Sequence, residues 1–279
     1  MPAYNEAESI DSIIRRIRAV SPEYQILVVD DGSADRTAEI AQASGVRVVQ
    51  HETNCGNGAA VKSAIRAAET PVVVLMDADG QHPPEAIPNL LKELETADMV
   101  VASRSASAQA PLRRFGNFLL NAFARSVTGC RIRDLTSGFR AARRDALLEY
   151  IHLFPSGFSY PTTSTIAFLK GGYRVRFVAV DAMSRRKTGV SKIRPFRDGL
   201  KFLTIMVRLS VLFEPLRIFV PAGLALLAGG GAILLYQILV LHYRRLEELP
   251  ILLLLSGLNV LFAGLLADMV AAMATRRKN

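Results

Sequence analysis

The sequence predicts an α/β protein: a mostly parallel sheet flanked by helices, then an amphipathic interface helix and a two-helix transmembrane hairpin. Three observations carry this. Up to about Arg217, short apolar runs alternate with amphipathic stretches in the order strand, helix, strand, helix, which is the grammar of a parallel sheet covered on both faces. Beyond it stand two long apolar blocks, Ile218 to Leu241 and Ile251 to Ala274. Each exceeds the ~20 residues that a helix needs to cross a ~30 Å hydrocarbon core. Between the two parts lies a dense belt of basic residues. A chain of 279 residues, 50% of them hydrophobic, is long enough for one good-sized domain and a small appendage.

The elements follow in order. Ala7 to Val20 reads as a helix with Ile10, Ile13, Ile14 and Ile17 on one face. Gln25 to Val29 is a short apolar strand that ends in Asp30-Asp31-Gly32-Ser33. Ala34 to Ser44 is the next helix, closed by Gly45, and Arg47 to Gln50 the next strand. Gly56-Asn57-Gly58 opens a helix to about Ala68; Pro71 to Met76 is a buried strand that ends in Asp77-Ala78-Asp79. Pro84 to Glu95 is helical with proline in its first turn, and Met99 to Ser103 is a strand. The second half is less regular. It offers a long helix over Leu112 to Thr128, a helix over Arg143 to Tyr150 and a strand over Tyr173 to Val180. Pro195 to Phe213 reads as an amphipathic helix lying on a membrane, since it has a basic and an apolar side just before a span. The expected organisation is a catalytic-type domain over 1–194, a juxtamembrane helix over 195–217 and two spans over 218–279.

Charge placement orients the hairpin. The formal net charge is +9, and much of it lies from Arg185 to Arg217, opposed only by Asp198 and Glu214. Arg276, Arg277 and Lys278 follow the second block. Positive flanks at both outer ends put both termini on the cytoplasmic side, and the belt would attract an anionic lipid surface. Nucleic-acid binding is the other reading of a basic balance, and the juxtamembrane position speaks against it. Cys55 and Cys130 make no disulfide framework, in keeping with a reducing cytosol. No secretory signal precedes the soluble part. The expectation is an integral protein of the cytoplasmic membrane of a bacterium or archaeon. A lone acid inside the second block, Asp268, is costly unless paired or interfacial. With Asn259 it offers a contact through which two hairpins could form a homo-oligomer.

The chemistry sits at two acidic strand ends, where ligands of such sheets bind. Asp77 and Asp79, at i and i+2, can face one polyphosphate and a hard cation such as Mg²⁺ or Mn²⁺; a solvated turn is the plain alternative. Asp30 and Asp31 could accept hydrogen bonds from a base or ribose, or cap the following helix. Gly56-Asn57-Gly58 is half of a dinucleotide fingerprint, or a tight turn that opens a helix.

Taken together, Pro2-Ala-Tyr-Asn-Glu6, Val29-Asp-Asp-Gly-Ser33, Asn54-x-Gly56-x-Gly58, Met76-Asp-Ala-Asp-Gly-Gln-His-Pro-Pro-Glu85, Asp134-x-x-Ser-Gly-Phe-Arg140 and Arg186-x-x-Gly-x-Ser-Lys192 resemble the family 2 glycosyltransferases. More closely, they resemble the polyprenyl-phosphate (dolichol-phosphate) mannose and glucose synthases. The resemblance covers the soluble part almost end to end, and a two-span tail also occurs in that group. It implies a GT-A-type fold and inverting transfer from a nucleotide-sugar of the GDP-mannose or UDP-glucose type to a polyprenyl phosphate.

Position by position, it implies that Pro2, Ala3, Tyr4 and Glu6 border the nucleotide with Gly58, and that Asp31 reaches the base or ribose. Asp77, Asp79 and Gln81 would gather the divalent ion, Mg²⁺ or Mn²⁺, and the donor diphosphate. Arg114, Arg131 or Arg133 would hold the lipid phosphate, with Ser137 and Arg140 on the acceptor side. Arg186 and Lys192 would close over phosphates, and Asp134 would sit near the reacting centre. Relatives carry an apolar strand before the Pro-x-Tyr-Asn-Glu motif, which is missing here, and many place leucine where Gly80 stands. Without the first strand the sheet is expected to lose a member and expose edges. A non-catalytic membrane adaptor and a transferase with another acceptor are the alternatives. A processive synthase is disfavoured, since its Gln-x-x-Arg-Trp motif needs a tryptophan and the chain has 0.

Overall fold

The computed structural model describes residues 1–103, 122, 124–125, 128–130, 132–157, 159–180, 204, 207–208, 211–239 and 248–275. The predicted helices over Leu112 to Thr128 and Pro195 to Phe213 lie outside these apart from isolated helical positions. Arg114, Arg131, Arg186, Lys192 and the tail Arg276 to Lys278 also lie outside the described residues. The chain divides into two compact units, Met1–Asp198 and Gly199–Asn279.

In the first unit the chain runs β1 (Pro2–Ala3), α1 (Ile10–Val20), β2 (Leu27–Asp30), α2 (Thr37–Ala43), β3 (Arg47–Gln50), α3 (Asn57–Ala67) and β4 (Val72–Leu75). A 3₁₀ turn at Pro84–Ala86 leads into α4 (Ile87–Leu94), followed by β5 (Met99–Ser103), β6 (Arg140–Arg143), α5 (Arg144–Tyr150), α6 (Tyr160–Lys170) and β7 (Val175–Ala179). The periodic elements form where the pattern put them. Ile10, Ile13, Ile14 and Ile17 of α1 are all buried and meet Leu90 and Leu94 of α4 and Val28 and Val100 of the strands in one core. Burying each such side chain stabilises by roughly 1.5–3 kcal/mol.

Two helices start later than periodicity alone suggests, α1 at Ile10 and α2 at Thr37. The Ile10 amide bonds the Glu6 carbonyl (3.0 Å) in the turn before α1, and Ser9 Oγ lies 3.1 Å from the Glu6 carboxylate. The Asp35 carboxylate accepts from the Thr37 amide and hydroxyl and holds α2 back to Thr37. These bonds and that of the Ala7 amide hold the Asp35 carboxyl below its usual range, although desolvation is the largest single influence and acts the other way.

Two elements escaped the sequence reading. β6 is four residues, Arg-Ala-Ala-Arg, inserted antiparallel between β4 and β5, so the sheet is mixed rather than wholly parallel. α6 is buried on all sides, including Thr162, Thr163, Ser164 and Thr165. A helix buried all round has no apolar stripe to detect, and its β-branched, hydroxyl-rich run reads as a loop.

The strands form two hydrogen-bonded groups, ordered β1-β2-β3 and β4-β6-β5-β7. Pro2 and Ala3 pair in parallel with Val29 and Asp30.

The second unit holds α7 (Leu216–Leu239) and α8 (Glu248–Thr275), each long and apolar enough to cross a membrane. They pack on each other through glycines spaced two turns apart, Gly223 and Gly230 on α7 and Gly257 and Gly264 on α8. A Cβ at Gly257 would stand 2.9 Å from the Gly223 carbonyl oxygen, and one at Gly264 would stand 2.5 Å from Phe219 Cβ. Small residues let the backbones approach closely, the usual way apolar helices associate in lipid.

Candidate active site

Four loops at the strand ends are clipped into one surface. The Asn5 amide donates to Ser33 Oγ (2.9 Å), and Asn5 Oδ1 accepts from the Ala34 amide (2.9 Å). Ser33 in turn donates to the buried Asp30 carboxylate. The Glu6 amide donates to Thr37 Oγ1 (2.9 Å), and Ser9 Oγ lies 2.6 Å from the Ala78 carbonyl. The loop after β1 thus touches both acidic strand ends, and Tyr4 on it is exposed. On the outer side Arg16 grips Glu85 at 2.7 and 3.0 Å, and that hydrogen-bonded fork holds the Glu85 carboxyl below its usual range.

The Asp77-Ala78-Asp79 loop is held from behind by His82, which the sequence reading left without a role. The Asp77 amide donates to His82 Nδ1 (3.0 Å), which places the ring proton on Nε2, 3.9 Å from Asp77 Oδ2. The buried ring stacks on Phe139 at 5.2 Å. This joins the end of β4 to the Asp134–Arg140 loop. Asp79 Oδ1 accepts the Gln81 amide (3.0 Å), and the second Asp79 oxygen has no hydrogen-bond partner among the described residues. The Asp77 carboxylate lies against Gly138, where a Cβ would stand 3.0 Å from Oδ2 and 3.3 Å from the Tyr160 hydroxyl. Any side chain at 138 would crowd this cradle. Burial first, and then the Asp77 charge, push the Tyr160 phenol well above its usual range, so it stays a donor, here to the Gly138 carbonyl (3.4 Å).

The Asp134 loop is an Asx turn, with the Thr136 amide and hydroxyl both 3.0 Å from Asp134 Oδ1. Ser137 is buried, and its hydroxyl has no hydrogen-bond partner among the described residues. Arg140 is 0% exposed. Its guanidinium donates to the Pro161 carbonyl (3.0 Å), Ser164 Oγ (2.7 Å), Thr165 Oγ1 (3.2 Å) and the Ser137 carbonyl, and lies over the Tyr160 ring. Burial lowers its pKa, while Tyr160, Asp134 and Asp77 push it back up. Expected on the acceptor side, Arg140 instead fastens the 137–140 loop to α6 from inside. Only the fold could reveal this, because its partners are hydroxyls of the helix that the sequence hid.

Asp31 is similarly engaged. It accepts from the Cys55 amide (3.0 Å), the Gly56 amide (2.8 Å) and His51 Nδ1 (2.7 Å). Asp31, His51 and Cys55 bring their donor atoms within 4.8 Å of one another. The second His51 nitrogen, however, meets Ser63 Oγ at 2.9 Å. With both ring nitrogens engaged, the cluster reads as a hydrogen-bonded brace. Gly58 approaches another backbone: its amide donates to the Gly157 carbonyl (3.2 Å), and that of Ala59 to Ser156 (2.8 Å). The first turn of α3 therefore spends these amides on the protein itself. Pro2 and Ala3 are buried in β1, and Arg133 is exposed beside the Asp134 turn.

Residues 1–151 match glycosyl transferase family 2, and residues 214–273 match the GtrB C-terminal hairpin. The dolichyl-phosphate hexose transferase of Haloferax volcanii is 32% identical over 71% of this chain and 87% of its own. The polyprenol monophosphomannose synthase of Mycolicibacterium smegmatis is 34% identical over 69% and 79%. Among solved structures, glucosyl-3-phosphoglycerate synthase from Mycobacterium tuberculosis, in complex with Mn²⁺, UDP and glucosyl-3-phosphoglycerate, superposes with a TM-score of 0.58. It is 25% identical and covers 75% of this chain and 76% of that one. With a family match over more than half its length, the chain belongs to glycosyl transferase family 2.

Proposed function

We propose that this chain transfers a hexose, with inversion, from a nucleoside-diphosphate sugar to a polyprenyl phosphate at a membrane surface. The observation that carries the reading is the pairing, on one chain, of a family 2 glycosyltransferase region with an apolar hairpin of the GtrB type. A hairpin of this kind suits an acceptor whose tail lies in lipid and whose phosphate lies at the interface. The relatives named for dolichyl-phosphate and polyprenol acceptors support the same acceptor class. Donors of the GDP-mannose and UDP-glucose type both fit.

Asp77, Asp79 and Gln81 would hold Mg²⁺ or Mn²⁺. All three side chains offer oxygen ligands, one Asp79 oxygen has no hydrogen-bond partner among the described residues, and Gly138 leaves the Asp77 carboxylate uncrowded, which suits a hard cation. When bound, such an ion offsets charge on the leaving diphosphate. Pro2, Ala3, Tyr4 and Glu6 border the nucleotide, and Asp31 with Gly58 shapes the wall of its pocket. Arg186 and Lys192 would close over the phosphates.

The nucleophile is a phosphate oxygen, already anionic at neutral pH, so no strong base is required. Arg133, with Arg114 and Arg131, would hold that phosphate in line with the anomeric carbon. Asp134 positions it rather than taking a proton, and the orphaned Ser137 hydroxyl supplies a hydrogen bond to substrate. Fixed donors aimed at the growing charge supply electrostatic stabilisation. The belt before α7 and the tail after α8 would place both termini in the cytoplasm, and Asp268 would pair two hairpins.

The test is transfer of radiolabelled sugar from a panel of GDP- and UDP-sugars to short polyprenyl phosphate in detergent with Mg²⁺ or Mn²⁺, beside Asp79→Ala. Organic-phase label from one donor, lost in the variant, is expected. Silence from every donor with a folded protein would favour an adaptor.

A further inference from the structure

The register of β2 and β3 sets three metal-ligating side chains around one point. Asp30 pairs with Gln50 across the parallel ladder, and the His51 amide continues it to the Asp30 carbonyl (2.9 Å). Asp31 and His51 are therefore the first residues past two neighbouring strand ends. The turn after β3 returns Cys55 to the same place, its amide held by Asp31 Oδ1 at 3.0 Å. A carboxylate oxygen, a ring nitrogen and a sulfur, one from each residue, lie within 4.8 Å of one another.

The partners that brace these groups are also those a metal site needs. A ligating imidazole nearly always engages its other nitrogen, and a ligating carboxylate is itself hydrogen-bonded. Here His51 Nε2 meets Ser63 Oγ of α3 (2.9 Å), and Asp31 Oδ2 accepts the Gly56 amide (2.8 Å). The His51 and Asp31 side chains are only 16% and 4% exposed, so both are fixed by packing. Cys55 stands on the open side. Its thiol is exposed and makes a weak bond to the Thr53 carbonyl (3.3 Å). In the chain alone, a proton on His51 Nδ1 bridges the 2.7 Å to Asp31 Oδ1, and a cation can take that proton's place.

We propose that Asp31, His51 and Cys55 form a three-ligand site for a thiophilic divalent cation of the Zn²⁺ class, with water as the fourth ligand. A tetrahedral Zn²⁺, with bonds of about 2.0–2.3 Å, holds its ligand atoms roughly 3.3–3.8 Å apart. The His51–Asp31 contact of 2.7 Å would open by roughly half an ångström to admit it. Sulfur and imidazole nitrogen select Zn²⁺ over Mg²⁺ and Mn²⁺, so the site differs in kind from the oxygen ligands at Asp77 and Asp79. On binding, the imidazole proton moves from Nδ1 to Nε2, where Ser63 Oγ accepts it, and the thiol gives its proton to solvent. The site stands whether or not the chain transfers sugar.

The test uses the full chain in mild detergent with Cys130→Ser, which leaves Cys55 as its single thiol. The rate at which that thiol reacts with a disulfide reagent is read with Zn²⁺ alone and with Mg²⁺ alone. Zn²⁺ is expected to slow the reaction at least tenfold, and Mg²⁺ at the same concentration to leave it unchanged. Ser63→Ala, which strips His51 of its outer partner, should weaken Zn²⁺ binding about tenfold, and His51→Ala should abolish protection. A rate unmoved by Zn²⁺, or protection undiminished in His51→Ala, would overturn the proposal. Should His51→Ala lose its fold by circular dichroism, X-ray absorption at the zinc edge of the loaded Cys130→Ser chain decides instead. One sulfur together with imidazole nitrogen supports the site, and a shell without sulfur overturns it.

Discussion

Replacing Gly58 with alanine sets two physical effects against each other. Gly58 lies in the first turn of α3, and in a helix alanine is favoured over glycine by about 0.8–1.0 kcal/mol. Propensity alone therefore predicts a more stable protein. The structure predicts the reverse. A Cβ at 58 would overlap the Pro155 carbonyl oxygen and stand 2.7 Å from that of Gly157. Both obstacles are backbone, so neither can rotate away, and overpacking of this kind costs roughly 1–3 kcal/mol. Moving the 155–157 loop would also weaken the bonds from the Gly58 and Ala59 amides to Gly157 and Ser156, at about 1 kcal/mol each. The net is a loss of roughly 1–4 kcal/mol, or a melting midpoint lower by about 3–15 °C for a domain of this size. Thermal unfolding of the full chain in detergent measures it. Gly80→Ala is the control: nothing lies within 4 Å of its Cβ, so it carries only the roughly 1–2 kcal/mol of a left-handed backbone. A Gly58→Ala protein that melts at or above the parent would refute the close-approach argument.

Other expectations follow from the same structure. Asp79→Asn should leave the melting midpoint within about 2 °C of the parent while cutting sugar transfer at least a hundredfold, read by organic-phase label and circular dichroism on one preparation. Arg140→Met removes the buried fork and leaves the Ser137 and Pro161 carbonyls and the α6 hydroxyls without their donor, so unfolding should show a loss of about 3–5 kcal/mol. Burial takes the Met1 ammonium from its usual 8.0 down to about 5. Between those values the unfolded chain binds a proton that the folded chain does not, so stability falls as pH drops from about 8 to 5, by up to about 4 kcal/mol. Acetylating the amino group should abolish that part of the slope in denaturant titrations, and equal slopes for free and acetylated chains would refute it. Gly257→Leu, which would drive a side chain into the Gly223 carbonyl and Leu227, should splay the hairpin; cysteines placed across α7 and α8 would then cross-link more slowly.

Much of the fold was legible in the sequence because it rests on local pattern. The α1 isoleucines, the apolar strand of Val72 to Leu75 and the two long blocks each announce their own burial, since period and length need no knowledge of neighbours. The acidic pairs were legible as strand-end groups for the same reason. β6 and α6 were not legible. A four-residue strand between two arginines has too little apolar length, and a helix wrapped on every side by protein shows no periodicity.

What the sequence determined by itself is therefore the order of elements, the apolar hairpin and the presence of carboxylates after β2 and β4. What each site residue does with its side chain was decided by tertiary structure. Asp31 is spent on amides 24 and 25 residues away and on His51, and Arg140 on hydroxyls 24 and 25 residues away. A residue's chemistry is written in its type, but its partners are set by contacts between distant segments. A buried charge must find those partners or forfeit several kcal/mol, and only the folded chain says which ones it found.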